Sequence, residues 1–138
     1  MSPERVLRRL LDGVSKLMDG DLSQIDALVE LYAEQTHITH PTAPDLPLLT
    51  SRAELREHFG KQFERAQGLR FKAEDILIHQ TTDPEVIVAE FTYRGPGKAA
   101  PLAAPCIFVM RIRNGQIVES RDYFDRGAFR RALRTDQA

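Results

Sequence analysis

His37, His40, His58, Asp122 and Cys106 are the side chains whose types could carry chemistry. His37 and His40 invite a metal reading. On a strand, however, residues three apart face opposite ways, and no Glu or Cys stands at ligand spacing, so no metal is expected. Cys106, the only cysteine, lies among Pro105, Ile107 and Phe108, which suits a buried, inert thiol. It excludes an internal disulfide and fits a reducing compartment. Histidine titrates near neutrality and moves a proton without extreme tuning. A carboxyl in an apolar cavity has its pKa raised by desolvation and becomes a usable acid at neutral pH. No glycine-rich loop follows a strand, so no nucleotide cofactor is indicated, and the chemistry is expected to need no cofactor.

The elements that must position these residues follow from periodicity. Ser2 and Pro3 open a helix carrying Val6, Leu7, Leu10, Leu11, Val14, Leu17 and Met18 at helical spacing. Gly20 stops it. Asp21 is expected to cap a second helix with Leu22, Ile25, Leu28, Val29 and Tyr32. Gln35–His40 reads as a short strand, ended by Pro41, and 41–49 as an ordered surface loop with three prolines and a candidate lid. Ser51 to Glu54 has the form of a capping box and opens a third helix through Leu55, Phe59, Phe63 and Ala66, closed by Gly68. From there the period changes to two. Leu69–Gln80, Glu85–Arg94, Leu102–Arg113 and Gln116–Phe124 read as strands, with Asn114-Gly115 as a hairpin turn. Asp125 caps a short last helix whose Arg126, Arg130, Arg131 and Arg134 read as a solvated basic face.

This order predicts one α+β domain of 138 residues, with helices on one face of a mainly antiparallel sheet. Within the second long strand, Ile87, Ala89, Phe91 and Tyr93 fall on one face and suit a concave, ligand-facing surface. Val86, Val88, Glu90 and Thr92 form the other face, which a second subunit could cover. The balance of 19 basic and 20 acidic residues, net charge −1, gives no reason to bind a polyanion, so no nucleic acid is expected. The N-terminal helix is amphipathic, without a continuous apolar stretch. Neither signal peptide nor membrane span is expected, and the protein reads as cytoplasmic.

The run GQIVESRDYFDRGAF at 115–129 resembles the end of the nuclear-transport-factor-2-like superfamily, in particular its SnoaL-like cyclases and limonene-epoxide-hydrolase-like enzymes. DPEVIVAEF at 83–91 is similar to a strand of the phenazine-biosynthesis A/B proteins, and MDGDLSQIDALVELYAEQT at 18–36 to the family's second helix and first strand. The resemblance implies a cone-shaped roll: a curved sheet and three helices from the N-terminal half, enclosing an apolar pocket. It commonly implies a homodimer through the outer sheet face. It also implies that Asp122, at the place of the general acid/base aspartate, shares the pocket face with Ser120 and Phe124. The epoxide-opening set is incomplete, since Ala89 and Phe91 stand where an arginine and a second aspartate belong, and Ile38 and His40 where a tyrosine and an asparagine belong. Against ketosteroid isomerase, the base and the two oxyanion donors fall on His40, Gly13 and Phe108, so that oxyanion hole is missing.

Asp122 and His40 are therefore the expected catalytic pair, moving a proton across a bound carbonyl or enol, an effect typically worth about 10²–10⁴ in rate. Plainer roles compete: an ion pair with the neighbouring Arg121 for Asp122, a solvated strand end for His40, and a helix surface for His58. Tyr93, Phe91, Ile38, Phe108, Phe124, Tyr32, Phe59 and His58 are the expected substrate-binding residues. The expected function is a cyclase or isomerase acting on a small apolar polyketide- or terpenoid-like molecule. A hydrophobic-ligand carrier, an epoxide hydrolase with an altered triad and an accessory oligomerisation domain are the alternatives. Enzyme and carrier differ by whether Asp122 and His40 meet in one cavity, and the accessory reading predicts a small or filled one.

Overall fold

The computed structural model describes residues 1–134. Helix α1 (Pro3–Met18) starts as its sequence requires, with the Ser2 hydroxyl accepting from the Arg5 N–H at 3.3 Å. Its whole apolar stripe is buried. Gly13 lies on that stripe because α2 crosses there; a Cβ would stand 2.7 Å from the Leu28 side chain. Helix α2 (Gln24–Glu30) is shorter than its spacing suggested. Asp21 does not cap it. Instead, the Asp21 carboxylate accepts from the Ser23 N–H at 3.1 Å and from the Gln24 side chain at 3.0 Å, closing a turn before the helix. Tyr32 is not helical either. It begins strand β1 (Tyr32–Thr39), where pairing with a distant strand outweighs the local helical period.

The sheet has six strands in the order β2-β1-β6-β5-β4-β3. Strand β2 (Leu49–Ser51), which three residues within a proline-rich stretch did not announce, pairs antiparallel with β1. Strands β3 (Lys72–Gln80), β4 (Val86–Gly95), β5 (Leu102–Arg113) and β6 (Gln116–Phe124) form the antiparallel part. β1 and β6 run parallel, with Ile38 opposite Ser120. β3 starts later than the expected Leu69 and bulges at Asp75, where φ is 57° and the register shifts. Asn114 and Gly115 have φ of 53° and 76°, the left-handed pair a two-residue hairpin turn needs. The expected alternation in β4 holds: Ile87, Ala89, Phe91 and Tyr93 are buried, whereas Glu90 is exposed.

Helix α3 (Arg52–Ala66) is capped by Ser51, which accepts from the Glu54 N–H at 3.1 Å. The returning arm of the capping box is displaced by one residue. The Glu54 carboxylate accepts from the Thr50 N–H at 2.7 Å, because Ser51 still lies in β2 opposite Gln35. Asp125 caps α4 (Arg126–Leu133), accepting from the Ala128 N–H at 3.1 Å. The Ala132 carbonyl then accepts from the Lys98 and Ala99 N–H groups, both at 2.9 Å. These bonds dock α4 on the β4–β5 connection. The concave sheet face is thus closed by α1, α3 and α4, with α2 packed outside against α1 and α3. This is the expected α+β roll with a curved, unclosed sheet, except that the fourth helix joins the closure. No helix among the described residues is long and apolar enough to cross a membrane.

Candidate active site

Between the concave face and the helices lies a cavity of about 320 Å³, within the range of ligand pockets. β1 supplies Tyr32 and Ile38 to its wall, His40 follows directly after the strand, which ends at Thr39, one residue earlier than expected, and β6 supplies Asp122 and Phe124. Tyr93 comes from β4, Phe108 from β5, and His58 and Phe59 from α3. Each expected site residue is there except Phe91. Its ring lies one step deeper along β4, edge-on to Tyr93 at 5.0 Å and to Phe108 at 4.9 Å. It is 3% exposed and supports the two rings that do face the cavity. Cys106 is likewise outside the cavity, and burial pushes its thiol up to about 12.

Alternation along β6 sends Ser120, Asp122 and Phe124 to the same inner face. Ser120 is fully buried, and its hydroxyl donates to the Asp122 carboxylate. Asp122 is 8% exposed and makes no ion pair with Arg121, which points outward from the sheet. Burial pushes the Asp122 carboxyl up to about 7, although the Ser120 bond pulls the other way. His40 Nε2 stands 4.0 Å from Asp122 Oδ2, near enough to share a ligand or proton but not directly bonded. The competing solvated strand end does not describe His40, whose side chain is only 7% exposed.

His58 belongs to the cavity and not to the helix surface. Its ring lies 5.2 Å from that of His40, which also meets Phe124 edge-on at 6.4 Å. Burial lowers the His40 pKa. Burial, His40 and Arg65 together hold His58 down to about 4. Both imidazoles are thus neutral at neutral pH, where Asp122 is about half ionised. His40 Nδ1 is buried with no hydrogen-bond partner, a polar atom without an account inside the described residues. Burial, and secondarily the Asp122 charge, raise the Tyr32 hydroxyl well above its ordinary value; the same two causes act on Tyr93 together with neighbouring Cys106. Both phenols stay protonated donors.

Several lining residues were not foreseen. Gln62 and Arg65 continue the helix face begun by His58, at i+4 and i+7, and that spacing was a usable signal. Arg126, Arg130 and Leu133 repeat the pattern around Phe129 in α4. Two of the four arginines expected on a solvated face therefore border the cavity. Leu46 from the 41–49 loop completes the opening, and the Thr42 hydroxyl ties that loop to the Phe124 carbonyl at 2.9 Å.

The fold is similar to that of a "putative isomerase" from Bacillus subtilis, with a TM-score of 0.72 at 20% identity, covering 96% of this chain and 99% of that one. It is also similar to a "putative polyketide cyclase" from Pseudomonas putida, with a TM-score of 0.70 at 16% identity, covering 97% and 99%. An NTF2-like protein from Anabaena variabilis superposes with a TM-score of 0.68 at 15% identity, covering 88% and 87%. At such identities the likeness establishes the fold alone. No curated protein matches the sequence. The SnoaL-like domain matches residues 7–120, most of the chain, and the chain therefore belongs to the SnoaL-like family.

Proposed function

We propose that the chain is a cofactor-free acid/base enzyme of the cyclase or isomerase type, acting on a small, mainly apolar carbonyl compound. The observation that carries this reading is a buried carboxyl held up to about 7 in a cavity walled mainly by apolar side chains, beside a neutral imidazole. As carboxylate, Asp122 takes a proton from the carbon next to a bound carbonyl, and the C–H electron pair becomes an enolate. In isomerisation the carboxyl returns that proton at another carbon. In cyclisation the enolate carbon attacks a second carbonyl of the same molecule, and the new alkoxide takes the proton back. Among the polar groups of the lining, His40, Tyr32 and Tyr93 can donate to the developing oxyanion, while Phe108, Phe124 and Phe59 exclude water. The isomerase and cyclase names of the structural relatives point the same way.

Native mass spectrometry of the wild type and Asp122→Asn, each recovered from its own host, tests this reading. A different, unconverted species held by the variant supports catalysis. The same molecule in both supports a carrier. We also propose that two copies pair through the outer sheet face. Leu77, Glu90, Ile107 and Tyr123 form one row across that face, with Leu77 55% and Ile107 42% exposed. A cytoplasmic setting accords with the single Cys106, which has no internal partner for a disulfide.

A further inference from the structure

The mouth of the cavity carries charges that the chemistry at its floor does not use. Arg65, near the end of α3, and Arg130, in α4, both line the cavity and are exposed, which places them where its wall meets solvent. Arg126 stands with them but is occupied. Its guanidinium makes a two-pronged ion pair with Asp45, Nη2 lying 2.7 Å from Oδ2. Neither Arg65 nor Arg130 has an acidic partner among the described residues. The charge of Arg130 reaches Asp45, which Arg126 already holds, and the charge of Arg65 reaches His58 inside the cavity.

Among the described residues, the only carboxyl lining the cavity is Asp122. The rest of the wall is mostly apolar and includes the half-buried Phe129, Leu133 and Leu46. Two guanidinium groups with no acidic partner among the described residues, set over a mainly apolar wall, suit an amphipathic anion better than a neutral hydrophobe. A carboxylate offers two oxygens in one plane, the geometry the guanidinium fork accepts.

We propose that the ligand is a carboxylate-bearing apolar molecule, its body in the cavity and its carboxylate at the mouth between Arg65 and Arg130. The anchored carboxylate then directs the far end of the molecule to Asp122 and His40. This rests on the cavity being the ligand site, as in the reading above, and not on Asp122 being catalytic.

Calorimetric titration of the full chain with 2-naphthoate and with its neutral methyl ester, at about pH 8 where the acid is ionised, tests the proposal. The wild type is expected to bind the acid about ten-fold more tightly than the ester, as one charge-assisted contact warrants. The double variant Arg65→Gln/Arg130→Gln is expected to lose that preference and keep its affinity for the ester. Both positions are exposed, so its melting midpoint stays that of the wild type. Equal affinities in the wild type, or a preference that survives the double substitution, overturn the proposal while ester binding upholds the cavity reading. If neither probe binds, both fall.

Discussion

At Asp122 two opposed effects meet: burial penalises the carboxylate, and the Ser120 hydroxyl stabilises it. Ser120→Ala removes the second, so the carboxyl is expected to titrate above about 7, and the pH profile of activity to move toward alkali by on the order of one unit. An unmoved profile would contradict that role. Linkage gives a second test. Unfolded, Asp122 titrates near 3.8; folded, near about 7. Between these values the folded protein keeps a proton that the unfolded chain has released, so stability falls as pH rises through the window. The depressed histidines act oppositely: for His58 stability rises with pH between about 4 and 6.5. Between 6.5 and about 7 the Asp122 slope is no longer opposed by the histidines. Asp122→Asn should therefore raise stability at about pH 8, on the order of 3 kcal/mol, and flatten the slope measured by denaturant unfolding. Asp122 was legible because strand alternation and a family resemblance agreed on its face. Its environment was not, since the sequence does not say that Ser120 stays bonded to it or that His58 comes beside His40.

Strands and helices were legible where their period was long and their ends had a chemical signal, as at Ser2, Ser51, Asp125 and Asn114-Gly115. They were misread where long-range pairing overrides local preference. Tyr32 satisfies a helical spacing yet pairs with Ile117 of β6, and the short β2 exists only because β1 lies beside it. Gly95, Pro96 and Gly97 mark the β4–β5 connection as a tight turn in the sequence, but nothing there marks it as the seat of α4. A Cβ at Gly97 would stand 1.6 Å from the Ala100 carbonyl oxygen, and its φ is 67°. Gly97→Ala is expected to cost about 2 kcal/mol or more and to speed amide exchange across α4, because Lys98 and Ala99 hold that helix. Wild-type protection of α4 in the variant would show that the dock is not needed. Ser51→Ala, by contrast, removes one helix cap and should cost about 1 kcal/mol in thermal unfolding with the cavity unchanged.

For the molecule as a whole, the α+β roll followed from element order, whereas the mouth of its cavity did not. Arg65 and Arg130 come from helices far apart in sequence, and no local pattern places them together. The outer sheet face is expected to bury its Leu77–Tyr123 row against a second copy. Ile107→Arg should then convert a dimer to a monomer in sedimentation velocity without lowering the binding of the naphthoate probe. A wild type already monomeric at high concentration would remove that interface.

The chemistry of the cavity turns on a carboxyl poised near neutrality among mainly apolar walls. The most direct measurement is a ¹³C NMR titration of aspartate-labelled protein, with the Asp122 signal assigned by its loss in Asp122→Asn. The Asp122 carboxyl is expected to show a midpoint close to about 7, far above the ordinary 3.8. A midpoint below about 5 would mean a solvated or ion-paired aspartate and would remove Asp122 as the proton-transferring group near neutrality.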